Sequence, residues 1–137
     1  RTWSSGDKVT LTLHMEPFQV EAHPRVRHDA GCVALQRGPV VYCLEQVDNG
    51  PGLKAIVLPR HAKITATHKK DLLGGVTVLT ASATRVNDRG WNDHLYRPAA
   101  TPKTKRCRIT AAPYYAWSHR NPEGEPGEMI TWIRSGA

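Results

Sequence analysis

Apolar and polar residues alternate with a period of two along most of this chain, and that rhythm suits strands and not helices. In "KVTLTLHM", Val9, Leu11, Leu13 and Met15 fall on one side, and Lys8, Thr10, Thr12 and His14 on the other. "FQVEAH" repeats the pattern after a break at Pro17, with Phe18, Val20 and Ala22 in phase. "CVALQ" and "VVYCLE" read as two further strands joined through "RGP", and the Asn-Gly and Pro-Gly pairs of "DNGPG" mark a turn. "KAIVL" and "AKITAT" are short strands split by Pro59, "GGVTVLTASAT" is a longer β-branched one, and "RCRITAA" and "EMITWI" complete the set. Residues 87–105 break every period. Eight or nine strands about ten residues apart, with Gly and Pro between them, predict an all-β fold, an antiparallel β-sandwich or jelly roll.

The 137 residues suffice for one domain with an ordinary core. The first residue is Arg and "RTWSSGDKV" lacks the apolar stretch of a signal peptide, so the chain reads as part of a longer protein. No apolar run approaches the roughly 20 residues that span a bilayer, which argues against a membrane role. Lys and Arg outnumber Asp and Glu by 19 to 12, for a net charge of +7. The basic residues are divided among "HPRVRH", "RHAKITATHKK" and "KTKRCR", none within a known nucleic-acid module, so no nucleic-acid partner is expected. They suit a solvated face, or one docked on an acidic neighbour. Cys32, Cys43 and Cys107 are an odd count without CxxC spacing, and point to buried thiols in a reduced, cytoplasmic setting.

Glycoside hydrolysis needs two carboxyl groups about 5–10 Å apart across a cleft. The candidates are Glu16, Glu21, Glu45, Asp88, Asp93 and the loop trio Glu123, Glu125 and Glu128. Glu45 is the most interesting, because it directly follows an apolar strand; a strand-end carboxylate is nevertheless commonly just exposed. Cys43 lies within that strand and reads as core, not as a nucleophile. The seven histidines form neither HxH nor HExxH, and no phosphate-binding or nucleophile-elbow motif occurs, so no catalytic or metal-ligating residue is expected. Aromatics carry the remaining signal. Tyr114, Tyr115, Trp117, His119 and Arg120 crowd into seven positions, and Trp91 stands in the long irregular segment. These six are the candidate interface or sugar-contact residues, because indole and phenol faces stack on the C–H faces of sugars and also fill interfaces.

Taken together, "RTWSSGDKVTLTLHM", "VEAHPRVRHDAGCVALQRGPVVYCLE" and "PYYAWSHRNPEGEPGEMITWI" resemble the C-terminal part of the bacterial enzymes of glycoside hydrolase family 127, which includes β-L-arabinofuranosidases. The resemblance runs from residue 1 almost to residue 134. It implies an (α/α)6 barrel elsewhere in the polypeptide, holding a cysteine nucleophile, a glutamate acid/base and a zinc ion, with β-sandwich domains attached. None of the barrel motifs occurs in these residues, so no catalytic or zinc role is carried over and no cofactor is expected in this part. Residues 1–16 then read as a lead-in strand from a preceding sandwich, and residues 17–137 as the C-terminal sandwich. The expected role is non-catalytic: bracing the catalytic helical barrel of the same polypeptide, or forming a homodimer. An autonomous carbohydrate-binding module is the alternative. "RGPVVYCLE", apolar on both faces, is expected to form a central strand covered on two sides.

Overall fold

The structure is a computed structural model and describes residues 2–89, 91, 94–120 and 127–136. Its strands are β1 Pro17–Glu21, β2 Cys32–Arg37, β3 Val40–Glu45, β4 Ile56–Pro59, β5 Thr65–Lys69, β6 Val76–Val86, β7 Thr104–Pro113, β8 Met129–Ile130 and β9 Ile133–Gly136. They belong to one sheet in the order β1-β2-β9-β4-β6-β7-β3-β8, with β5 beside β6. An additional pairing of β2 with β3 closes the path through β9, β4, β6 and β7 into a small barrel-like sandwich. Closure leaves fewer open edges than a flat sheet would. Among the described residues all pairings are antiparallel except β4 with β9, where Val57 lies beside Arg134 in parallel register, so the expected antiparallel sandwich carries one parallel pair.

Register explains the core. Leu79 pairs with Ala111, Ala81 with Ile109 and Ala83 with Cys107, and paired residues share a face. These residues point inward, where they join Leu35, Leu44, Leu58 and Ile133. Each fully buried Leu or Ile contributes about 1.5–3 kcal/mol relative to exposure.

β3 is central, as its sequence predicts. β7 runs along one edge, while β2 and then β8 occupy the other. Leu44 faces the core; Cys43 and Glu45 point to the opposite face and are buried too. Val41 departs from this pattern. It lies in one outward row with Gln36 and Phe18, and both apolar members of the row are exposed.

Four expectations need correction. Residues 8–15 form no strand, and Val9, Leu11 and Leu13 are exposed. Alternation alone cannot make a strand, whose backbone groups need a neighbour to pair with. Met15 still packs on the β2–β3 turn, against Gly38, whose positive φ of 54° suits glycine. "EMITWI" divides into β8 and β9 with a bend at 131–132, because the chain leaves β3 there and crosses to β2 and β4. "FQVEAH" ends as a strand at Glu21, with Phe18 outward. Finally, a single helical turn, α1 Gln46–Asn49, takes in the first two residues of the predicted "DNGPG" turn. Gly50 and Gly52 follow it with φ near +73° and +72°.

Candidate functional site: a clamped aromatic corner

The corner begins with Glu45. The preceding β3 residues carry its side chain to the face away from the core, yet it is only 2% exposed. A buried carboxylate is costly unless paired and hydrogen-bonded. Both oxygens of Glu45 are occupied. Oε1 accepts the backbone N–H of Ser118 at 3.0 Å, and Oε2 accepts from Arg120. The Arg120 guanidinium also donates to both oxygens of Asp48, at 2.7 and 2.6 Å. One arginine therefore ties β3, α1 and the turn after β7 together. Its hydrogen bonds to Asp48 are the main reason that its pKa lies above the ordinary value; burial opposes this and the bond to Glu45 adds to it.

Backbone geometry fits this clamp. Residues Tyr114–Ala116 form one 3-10 turn after Pro113, and Ser118 adopts a φ of 67°, which non-glycine residues rarely do. Its N–H is thereby presented to Glu45 at a conformational cost of about 1–3 kcal/mol, which the surrounding contacts must offset. α1 is pinned separately. The Asn49 amide donates to the carbonyls of Glu45 and Thr110 and accepts from Thr110 N–H, extending the pairing of β7. Arg85 donates to the carbonyls of Asn49, Pro51 and Gly52, holding the following loop.

Five of the six sequence candidates meet in this corner. Ala116 is buried, whereas Tyr114 is 46%, Tyr115 66% and Trp117 37% exposed. The Tyr114 and Trp117 rings lie 6.2 Å apart in a tilted pair. His119 is exposed, and Arg120 is the clamp itself. Trp91 stands apart in a hollow of about 200 Å³ formed with Arg97, Pro98 and Arg134, where the Arg97 guanidinium lies 4.1 Å from its ring centroid. One face of that indole is thus already occupied.

Asp48 escaped the sequence reading, and Glu45 was expected to be exposed. The signal was available in "VVYCLEQVD": a strand apolar on both faces that ends in acid needs a cationic partner if it stays covered. Nothing local identifies that partner as Arg120, 75 residues away.

Glu45 and Asp48 share a guanidinium, but Glu45 is shut off from solvent, so the two do not form an open acid/base pair. Glu21 pairs with exposed Arg60, Glu16 and Asp88 are exposed, and Glu128 accepts the N–H groups of Gly52 and Leu53. Asp93, Glu123 and Glu125 lie outside the described residues. Burial, reinforced by nearby Glu45, pushes the Cys43 thiol up to about 12, far from a nucleophilic thiolate. Among the described residues all three cysteines are free, and no group of three His, Cys, Asp or Glu side chains could hold a metal. Among the described residues no helix is long and apolar enough to cross a membrane.

The profile of the glycoside hydrolase family 127 C-terminal domain matches residues 17–134. A non-reducing end β-L-arabinofuranosidase of Bifidobacterium longum subsp. longum is 38% identical over 96% of this chain and 20% of its own length. The crystal structure of a family 127 β-L-arabinofuranosidase from Geobacillus stearothermophilus T6 superposes with a TM-score of 0.81 at 51% identity, covering 89% of this chain and 18% of that one. A second family 127 structure, a β-arabinofuranosidase, gives a TM-score of 0.72 at 37% identity over 89% of this chain and 17% of its own. The chain thus spans about a fifth of the length of these relatives.

Proposed function

Because the chain belongs to glycoside hydrolase family 127, as its C-terminal domain, we propose that it is a non-catalytic interface module that braces the helical catalytic barrel of the same polypeptide. The parent would hydrolyse β-L-arabinofuranosides, as the named relatives do. The observation that carries this reading is the clamped corner. Tyr114, Tyr115 and Trp117 stay exposed although a buried ion pair holds their turn in one conformation. A rigid, exposed aromatic cluster is already ordered for docking, so little further entropy is lost when a partner covers it. Residues 2–16, exposed apart from Met15 and unpaired with any strand, fit the same account as a lead-in that would gain strand neighbours from a preceding sandwich.

Mixing this chain with the remainder of the polypeptide, produced separately, tests the proposal. Association that restores arabinofuranosidase activity is expected, with weaker association for Tyr115→Ala and Trp117→Ala. Failure of the two pieces to associate sinks it. Self-association of the isolated chain that Tyr115→Arg abolishes would assign the same surface to a homodimer instead.

A further inference from the structure

Between the corner and the β5–β6 turn lies a groove of about 580 Å³, within the roughly 300–1,000 Å³ of small-ligand sites. Its setting follows from register. β5 and β6 pair Thr67 with Val78 and Lys69 with Val76, so these side chains share the sheet face away from the core. Buried Val78 and half-buried Leu72 provide apolar lining. Asp48 and Arg120 form one wall, Thr110 contributes from β7, and Lys69, Lys70 and Asp71 come from the opposite side.

The charges select the class of ligand. The groove brings Asp48 and Asp71 together with Lys69, Lys70 and Arg120, and Glu45 lies directly behind Arg120. Two acids and three bases line the groove beside His68, and buried Glu45, bound to Arg120, brings the acids to three, so little net field is left to select a phosphate or a cation. Its polar groups are numerous, close and of both hydrogen-bonding senses. Asp48 is the best placed. Each of its oxygens accepts one Arg120 N–H, which fixes the carboxylate and leaves further lone pairs to accept hydroxyl donors. Anchoring of Arg120 on buried Glu45 means that binding need not order this wall. Fixed acceptors, ammonium donors and an apolar lining suit a molecule with hydroxyls on its edges and C–H groups on its faces.

We propose that this groove is a saccharide subsite that takes a neutral sugar residue. None of Trp91, Tyr114, Tyr115 and Trp117 lines it, and it does not depend on the bracing role. The inference goes beyond the proposed interface function and survives even if that function fails.

Titrating the isotopically labelled chain with L-arabinose, D-galactose, glucuronate and inorganic phosphate, while following backbone amide resonances, tests the proposal. Saturable shifts with a neutral sugar are expected at residues 69–72 and at Thr110. Asp71→Asn should weaken binding about tenfold, the scale of one good polar contact, without changing the melting temperature. Asp48→Asn should weaken it at least as much; if that variant fails to fold, Asp71→Asn and Lys70→Ala still decide the matter. Absence of saturable shifts with either neutral sugar overturns the proposal. So does tighter binding of phosphate or glucuronate, or a shift pattern centred on Trp91 or Trp117.

Discussion

The turn at 114–120 and the loop at 87–103 use similar residues: each carries Trp, Tyr, His and Arg, and each adjoins β7. They are held in very different ways. In the first, Arg120 and Ser118 N–H bind a carboxylate buried behind the sheet, so the aromatic turn has a fixed anchor. In the second, Arg97 lies on Trp91 within the same loop, and Leu95 and Tyr96 are exposed, Tyr96 by 90%. The turn at 114–120 is a defined surface because contacts distant in sequence fix it. The contact of Arg97 on Trp91 is worth about 0.5–1 kcal/mol at an exposed site, less than the loss expected on breaking a buried ion pair.

Four measurements break or sharpen this contrast. Arg120→Ala leaves Glu45 buried and unpaired, and should lower unfolding free energy by about 3–5 kcal/mol in urea denaturation. A loss under about 1 kcal/mol would show that the clamp does not hold the corner. Leu44→Ala, which empties the core beneath the same strand end, should cost about 2–5 kcal/mol. An unchanged denaturation midpoint would remove β3 from its central place.

The third is a pH effect. The Cys43 thiol titrates near 12 in the folded chain against an ordinary 9.0, so folding favours the neutral form. That stabilisation is complete below the ordinary value and is lost as pH rises from about 9 towards 12, by about 1.4 kcal/mol per unit. Cys43→Ala should flatten the stability profile over this range. Equal slopes in the two proteins would contradict the assignment. The smallest effect belongs to the other loop: Tyr96→Ser should change stability by less than about 0.5 kcal/mol. A larger loss would mean that Tyr96 packs more firmly than its exposure implies.

Much of the fold was legible in the residues. β6 and β7 largely follow their alternation, because a strand with one face in the core must place every second side chain there, whereas β2 and β3 are apolar runs covered on both faces. Legibility fell where pairing and pattern part company. "KVTLTLHM" has a strand's pattern without a neighbour, and "EMITWI" has one pattern shared between two sets of neighbours. The crowding of Tyr114 to Arg120 was also plain, but its organisation was not. His119 and Arg120 look alike as polar residues beside aromatics, yet one is exposed and the other is the centre of an ion cluster.

The sequence by itself determined the all-β class, the central place of "VVYCLE" and the family resemblance. Each of these depends on side-chain order along a short stretch, which the period of two converts directly into faces. Only the tertiary structure decided that Glu45 and Asp48 share Arg120, that the aromatic turn faces outward and that a groove opens beside it. Those facts depend on which segments barrel closure brings together, across 72 and 75 residues of chain, and no local pattern encodes such distances.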